Sequence, residues 1–280
     1  MAREHGKIAS VGMFLFFALI AGAALFPFYA LLLASFKPST EMLRHGLNVS
    51  LQPDILSLKN YMHLFTEEGL IYFIWYKNSL LITLFHTALS IGLSSFVGYG
   101  LAVYQFRGRN LIFGLVMFVL VVPFEIIMLP LYQLSITLGI MNTYAGVILP
   151  FVVGPVVVFF FRQYALGLPK ELMDAGRIDG CNEFGIFFRI MAPLMAPAFG
   201  AMAILQALGQ WNNFLWPLIV LRTGEMFTLP IGLSTLLTPY GNNYDMLLSG
   251  SVVSIVPIVF LYLFFQRFFV SGLTIGGVKG

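Results

Sequence analysis

Charged residues are scarce in this sequence of 280 residues: Asp, Glu, Lys and Arg together make up only 10% of it. A soluble domain carries about 25% charged residues, whereas hydrophobic residues account for 59% of this chain. One soluble core could not bury that much apolar surface, so the composition predicts an integral membrane protein. The net charge of +3 is too small to indicate a nucleic-acid-binding surface.

Cysteine pairs, nucleotide-binding motifs and metal-binding clusters are also missing. The single Cys181 excludes an internal disulfide. The pattern Gly-x-x-x-x-Gly-Lys-Ser/Thr, which binds nucleotide phosphates, does not occur. The four histidines are scattered at positions 5, 45, 63 and 86, and no His or Cys cluster has metal-ligand spacing. We therefore predict no catalytic residue, no metal and no cofactor bound by this chain itself.

Long intervals without a formal charge mark the membrane spans. A spanning helix needs about 20 residues, and four charge-free intervals are each long enough for one helix. A fifth interval, from Asn110 to Phe161, contains Glu125 as its one charge and is long enough for two. The sequence predicts an all-α, polytopic inner-membrane protein with six transmembrane helices, at residues 11–34, 79–104, 111–133, 144–163, 192–219 and 247–268.

The distribution of Lys and Arg predicts the orientation of these helices. With both termini in the cytoplasm, ten of the 15 Lys and Arg residues fall inside, as the positive-inside rule requires. Residues 37–77 then lie outside, where their mixed apolar and polar pattern predicts short helices on the outer face. Residues 164–190 form a cytoplasmic loop and residues 269–280 a cytoplasmic tail, all within one transmembrane domain of residues 1–280.

The loop 164–190 has the pattern of two helices joined at a glycine. Pro169 suits the first turn of a helix, and Glu171 supplies the acidic charge that favours a helix N-terminus. Gly180 suits the end of that helix, and a second apolar stretch begins at Phe184. Small residues on the first helix would permit another protein surface to approach closely. The residues alone leave a second interpretation open, a solvated connector with an amphipathic helix lying on lipid.

One stretch of this loop contains Asp174-Ala175-Gly176, then Gly180, and later Ala192-Pro193. It resembles the cytoplasmic loop of type I ABC importer permeases of the maltose-transporter-like family, whose signature is Glu-Ala-Ala, three residues, Gly, and a run that ends in Pro. Asp at 174 and Gly at 176 depart from that signature, and the Gly weakens helix propensity by about 1 kcal/mol. The segments 211–218 and 272–280 are similar to segments of the same family, and the six spans predicted here agree with that family as well.

The resemblance implies that the loop carries a coupling helix, which packs in a socket of a separate ATPase subunit and transmits ATP-driven movement to the membrane helices. The predicted ATPase-coupling residues are Glu171, Asp174, Ala175, Gly176, Arg177, Asp179 and Gly180. The three small residues are expected to form the packed face, with Asp174, Arg177 and Asp179 at its rim. The resemblance also implies that the tail reaches between the ATPase subunits, although its composition alone is typical of a frayed end. The tail residues in question are Gly276, Gly277 and Lys279.

The resemblance further implies an assembly with several partners. These are a second homologous permease subunit, two ATPase subunits that bind ATP and Mg²⁺, and an extracellular sugar-binding lipoprotein, in a lipid membrane and without nucleic acid. Within this family, the segments 159–167 and 238–246 resemble most closely the permeases of arabinose-oligosaccharide import in Gram-positive bacteria. The implied function is that of a non-enzymatic permease subunit in the cell membrane, importing arabinose-containing oligosaccharides, with another neutral oligosaccharide as the alternative.

Polar side chains inside the predicted spans mark a candidate translocation path. Glu125 is the one formal charge within a span, where an ionisable group is costly, and Pro123 and Pro130 on either side of it predict a kink in that helix. Amides and aromatic rings alternate in the fifth span, and such pairs suit the hydroxyl groups and apolar face of a neutral sugar. These candidates are Gln206, Gln210, Trp211, Asn212 and Asn213. Any of them could instead hold helices together, which is how we interpret His86, Ser90, Ser94 and Ser95 of the second span.

Two other classes of protein stay open at this point. A self-contained secondary transporter driven by an ion gradient would use Glu125 as its coupling carboxylate. A membrane scaffold would have no translocation path at all. The coupling loop argues against both classes, and the sequence shows no inverted repeat of the kind that secondary transporters often contain.

Overall fold

The computed structural model describes residues 2–46, 48–66, 70–238 and 241–275. The chain falls into two compact units, which are Met1–Phe73 with Leu233–Ile255 and Ile74–Gly232 with Val256–Gly280. Nearly all regular structure is helical, and this confirms the prediction of an all-α protein. A short antiparallel ladder pairs β1, Leu237–Thr238, with β2, Gly241–Asn242.

Fifteen α-helices are found in the described residues. In chain order they are α1 Ala2–Ser35, α2 Ser39–His45, α3 Lys59–His63, α4 Leu70–Val103, α5 Arg109–Val121, α6 Phe124–Thr137, α7 Tyr144–Ile148, α8 Pro155–Leu166, α9 Glu171–Ile178, α10 Glu183–Ile186, α11 Ala192–Leu194, α12 Ala196–Trp211, α13 Leu215–Val220, α14 Leu229–Thr235 and α15 Tyr244–Ile275.

Three of these helices are each long and apolar enough to cross a membrane, namely Ser10–Ser35 of α1, Leu70–Val103 and Tyr244–Gln266 of α15. Three further pairs of helices reach that length only together, because each is bent at a short break. The pairs are Arg109–Val121 with Phe124–Thr137 at 105°, Tyr144–Phe151 with Pro155–Leu166 at 43°, and Glu183–Leu194 with Ala196–Trp211 at 77°. The described residues therefore contain three spans, or six if each bent pair crosses once, and the predicted number of six stays a prediction.

The predicted helix 111–133 is broken in the structure. α5 ends at Val121, Val122 is extended, and Pro123 precedes the first residue of α6. Proline lacks an amide hydrogen and forces the residue before it out of the helical region, so the chain cannot continue as one helix. The kink expected at Pro123 is therefore a sharp bend of 105°.

The predicted helix 192–219 is wrong at its C-terminal end, because α12 ends at Trp211 and α13 begins only at Leu215. The side-chain amide of Asn212 donates a hydrogen bond to the Leu208 carbonyl at 2.9 Å. The backbone amide of Asn212 also donates to that carbonyl, at 3.2 Å. Asparagine side chains compete in this way with backbone hydrogen bonds, and they favour helix ends over helix interiors.

In the first unit, short helices and buried hydrogen bonds order the segment that follows α1. The Lys37 ammonium is buried and donates to the carbonyls of Asn48 and Ser50, both at 2.8 Å. The Asn60 amide is buried as well and donates to the carbonyls of Ser35 (2.9 Å) and Lys37 (2.8 Å). Two buried polar side chains are thus satisfied by main-chain carbonyls, which holds an otherwise irregular segment in place.

From Ser10 to Tyr29 the residues of α1 are exposed, whereas Ala30, Leu33 and Ala34 near its C-terminal end are buried. No residue is buried in its most apolar stretch, and Phe14 and Leu19 are among the exposed side chains. An apolar surface of this extent is stable only when lipid or another protein covers it.

In the second unit, α4 and α8 are packed closely at Gly98. A Cβ atom at position 98 would lie 2.7 Å from the Val158 carbonyl oxygen and 2.9 Å from the Arg162 amide nitrogen. Both neighbours are backbone atoms of α8, so they cannot move without shifting the helix. Glycine at 98 therefore sets the distance between the two helices.

We expect Gly98→Ala to destabilise the folded chain by about 1–3 kcal/mol, because the two helices must separate to admit the methyl group. Gly100 lies on the same helix with open space at its Cβ position, so Gly100→Ala is the matched control. The control should be neutral or slightly stabilising, since Ala is the better helix former. Equal melting temperatures for the two variants in detergent would contradict the close packing.

Candidate functional site

The loop 164–190 folds as two helices joined at a glycine turn, as its sequence predicts. α9 ends at Ile178, and Gly180 then adopts a φ of +79°, a conformation that L side chains rarely adopt. The Asn182 side chain accepts a hydrogen bond from the Gly185 amide at 2.7 Å and thereby caps α10. Gly180 thus lets the chain leave one helix and enter the next within a few residues.

Gly176 faces the interior of the chain, which corrects the predicted docking surface. It is buried, and a Cβ at this position would lie 2.6 Å from Ile190 Cδ1 and 3.3 Å from Ile186 Cγ1. The prediction that Gly176 shares an exposed packed face with Ala175 and Gly180 is therefore wrong. The missing side chain at 176 serves contact with the chain's own following helix.

The surface of α9 that stays open is formed by Leu172, Ala175 and Ile178. All three side chains are exposed, and Ile178 is exposed to 86%. Glu171 and Asp179 lie at the two ends of the same helix and are also exposed. The three residues are spaced i, i+3 and i+6 and so form an apolar patch on one side of α9, and such patches are typical of surfaces that another molecule covers.

A polar network joins α9 to its neighbours. Arg177 Nε donates to Glu183 at 2.9 Å, and Arg177 Nη1 donates to Asp174 at 2.9 Å. The Tyr104 hydroxyl, just after the end of α4, donates to Glu183 at 2.6 Å. The hydrogen bond with Glu183, and to a smaller extent the one with Asp174, raises the pKa of Arg177. Burial, together with the hydrogen bond to Glu183, raises the pKa of Tyr104. The network ties both loop helices to the end of α4.

Sequence reasoning missed Glu183 and Tyr104 as members of this network. The predicted rim residues Asp174 and Arg177 are brought together, but they pair within the chain, and their contact with a partner stays a prediction. The glycine turn brings Glu183 to Arg177, while Tyr104 comes from a distant part of the sequence. The tail residues predicted to reach the ATPase subunits, Gly276, Gly277 and Lys279, lie outside the described residues.

Three of the predicted path residues meet at one cavity in the second unit. Gln206, Gln210 and Asn213 line a cavity of about 250 Å³, together with Gly154 and His86. The Gln206 amide donates to the Ser90 hydroxyl at 2.8 Å, and the Asn213 amide approaches Gln210 Oε1 at 3.5 Å. His86, which the sequence suggests is a packing residue, also lines this cavity.

The other two candidates of the fifth span do not line this cavity. Asn212 turns its amide to the Leu208 carbonyl. Trp211 is buried and packs edge-on against Tyr76, with ring centroids 5.6 Å apart. Both residues therefore have structural partners, the first at a helix end and the second between helices.

Glu125 lies at the bend between α5 and α6. It stands in the first turn of α6, two residues after Pro123, and its side chain is exposed. The N-terminus of a helix stabilises a carboxylate, because unpaired backbone amides and the helix dipole favour negative charge there. The bend that Pro123 causes thus supplies a local reason why a formal charge is tolerated at this position.

Among the described residues, no group of three or more His, Cys, Asp or Glu side chains is placed to hold a metal ion. The polar side chains of the cavity are amides and an imidazole, together with the Ser90 hydroxyl to which Gln206 donates. Such groups can exchange hydrogen bonds with a neutral, hydroxyl-bearing molecule.

Comparison with known proteins identifies relatives over the whole length of the chain. Residues 90–275 match the family described as binding-protein-dependent transport system inner membrane component. The chain is 62% identical over 274 residues to the arabinooligosaccharides transport system permease protein AraQ of Bacillus subtilis, covering 98% of this chain and 97% of that relative. It is 61% identical over 280 residues to the protein of the same name from Halalkalibacterium halodurans, covering 100% of both.

A solved structure supports the same fold. A bacterial ABC transporter involved in the import of the acidic polysaccharide alginate contains a chain that superposes with a TM-score of 0.82. The match covers 94% of this chain and 97% of that one, at 20% sequence identity. At this identity the likeness extends to the fold alone, and the fold is that of an ABC importer permease.

Proposed function

The chain belongs to the family of binding-protein-dependent transport system inner membrane components, and from that membership we propose that it is the permease subunit of an arabinooligosaccharide importer. The observation that carries the proposal is an identity above 60% over essentially the full length of two arabinooligosaccharide permeases. The uncharged cavity of Gln206, Gln210 and Asn213 agrees with a neutral sugar as the transported molecule.

Family membership also defines the class and location of the chain. It is a multi-pass component of the inner membrane and a transport subunit, not an enzyme. A binding-protein-dependent system is distinct from a self-contained transporter driven by an ion gradient. Membership of this family therefore argues against the ion-driven secondary transporter, in which Glu125 would couple transport to an ion.

We propose that α9 couples this chain to an ATPase subunit through the exposed surface of Leu172, Ala175 and Ile178. Gly180 would let that surface project, and Glu171 and Asp179 would flank it. The network around Arg177 supports this role, because a helix that transmits displacement must be held rigidly to the membrane helices. In the complete importer, two ATPase subunits would hold ATP and Mg²⁺, and the tail with Gly276, Gly277 and Lys279 would extend between them.

The remaining partners follow from the proposed importer. A second homologous permease would cover the apolar surfaces that this chain leaves open, and an extracellular lipoprotein would deliver the sugar. Glu125, at the bend of α5 and α6, would lie on the translocation path, at a helix N-terminus that favours a negatively charged side chain. Neutral oligosaccharides of another composition are the alternative substrates.

Reconstitution of the assembled importer tests this function. The complex is isolated through a tag on this chain and placed in liposomes with ATP and Mg²⁺ on the ATPase side. Sugar-binding protein and a labelled arabinose trisaccharide are added on the opposite side. We expect accumulation that requires ATP and is absent with an ion gradient alone. Uptake driven by an ion gradient without ATP, or by this chain without partners, would contradict the proposal.

A further inference from the structure

The polar cavity contains two buried side chains whose hydrogen-bonding capacity is not fully used. His86 of α4 is 5% exposed and Gln210 of α12 is 7% exposed, and both line the cavity of about 250 Å³. The first turn of α8 forms another part of the wall, where Val156 is exposed, so the cavity opens to the surface of the chain on that side.

No described residue offers a well-oriented hydrogen bond to either nitrogen of His86 or to Gln210 Nε2. The Phe151 backbone interacts with the imidazole, but a single backbone group can serve only one of the two ring nitrogens. The Gln210 oxygen has just the long contact of 3.5 Å with Asn213, and exchanging the amide nitrogen and oxygen would again leave one atom unpaired. Gln206, by contrast, is held by Ser90 at 2.8 Å.

Unpaired buried polar groups destabilise a protein, and native proteins seldom contain them without a functional reason. If these positions served packing alone, leucine would be more stabilising, because it leaves no polar group unpaired. Both side chains line the cavity, but their unpaired atoms are covered in this conformation, so a ligand would reach them only after the side chains rotate. A ligand that supplied the missing partners would therefore be bound where the chain now carries unsatisfied groups.

The chemistry of the pair indicates the kind of ligand. A neutral imidazole has one donor and one acceptor, and a carboxamide has two donors and one acceptor oxygen. A hydroxyl group both donates and accepts, so it matches such a mixed set. No Asp, Glu, Lys or Arg lines the cavity among the described residues, which disfavours an ion as the ligand.

We propose that His86 and Gln210 form a hydroxyl-binding subsite, through which this chain itself contacts the transported sugar. The proposal rests on the proposed function and adds to it a specific contact. Gln206 and Asn213 complete the wall, the first fixed by Ser90 and the second next to Gln210. Because the subsite lies on α4 and α12, binding of the sugar would add a second link between two helices that the hydrogen bond from Gln206 to Ser90 already joins.

The test uses the reconstituted importer with the labelled arabinose trisaccharide at limiting concentration. Gln210→Leu and His86→Leu each remove hydrogen-bonding atoms at similar volume. Gln163→Leu is the matched control, since Gln163 is exposed on α8 and is not part of the cavity wall. We expect the rate of uptake at limiting sugar to fall about tenfold in each cavity variant, the loss of roughly one hydrogen bond, and to stay at the wild-type level in the control.

Thermal stability provides the second measurement. If the two groups are kept for ligand binding, the cavity variants should assemble with their partners and melt at the same or a higher temperature than the wild type, because an unpaired polar group has been removed. Lower melting temperatures would assign the two side chains to structure and overturn the subsite. Wild-type uptake in both cavity variants would also overturn it and would leave water as the occupant. Failure of the wild-type complex itself to take up sugar with ATP would refute the proposed function instead.

Discussion

Replacing Ile178 by Glu is expected to lower ATP-driven sugar uptake on the order of a hundredfold while leaving the fold of this chain intact. Ile178 is 86% exposed, so the chain itself gains little from its burial. At the proposed contact with an ATPase subunit the same side chain would be desolvated. A carboxylate buried there without a partner costs far more than the lost apolar contact.

The control for this experiment is Ile178→Val, which keeps an apolar, branched side chain and should retain most of the uptake. Two quantities are measured for each variant: the rate of uptake in liposomes and the amount of ATPase that is purified with the tagged chain. Loss of both in Ile178→Glu, with an unchanged melting temperature of the permease, is the expected result. Normal uptake and normal ATPase binding in that variant would show that lipid, and not the ATPase, covers this surface.

The positions of three long helices could be predicted because charge is excluded from the hydrocarbon core. The predicted helices 11–34, 79–104 and 247–268 coincide with α1, α4 and α15, and both Pro123 and Gly180 mark a change of direction as expected. The size of the bend at Pro123 could not be predicted, since proline excludes the straight helix without selecting an angle. The helix end at Trp211 could not be predicted from the charge-free interval, because Asn212 carries no charge. The helix ends there because the Asn212 side chain hydrogen-bonds to the Leu208 carbonyl.

The candidate site was predictable where local conformation determines it and unpredictable where tertiary contacts do. The glycine turn at 180 and the helix before it depend on neighbouring residues only. The inward face of Gly176 depends on Ile186 and Ile190, which pack against α9 from the next helix. A residue next to Ala175 in sequence is rotated by about 100° around the helix axis, so a small residue is not by itself a sign of the outer surface.

The polar networks also depend on tertiary contacts and not on local conformation. Tyr104 meets Glu183, and His86 meets Gln210 at the cavity, across separations that no local pattern contains. A single polar residue in an apolar helix is compatible with packing, with helix association or with ligand binding. What separates these roles is whether a partner is present in the folded chain, and that is a property of the structure alone.

Gly232→Ala is expected to prevent stable folding of the second unit, at a cost above about 3 kcal/mol, because overpacking next to a rigid side chain exceeds the usual 1–3 kcal/mol. A Cβ atom at position 232 would lie 2.0 Å from Cδ2 and 2.1 Å from Cε3 of Trp75. The indole is 5% exposed, and its Nε1 donates to the Gly224 carbonyl at 2.8 Å. The ring therefore cannot move aside without losing a buried hydrogen bond.

A second substitution makes this expectation specific to the contact with Trp75. Trp75→Leu removes the ring and on its own should destabilise the chain by creating a cavity. In the double variant Gly232→Ala, Trp75→Leu the new methyl group would occupy part of that space, so the two effects should not add. Gly114→Ala, with open space at its Cβ position, is the control and should melt like the wild type. Strictly additive melting temperatures would show that the cost at 232 arises elsewhere, whereas a double variant more stable than Gly232→Ala alone would establish that glycine is required here to admit the tryptophan.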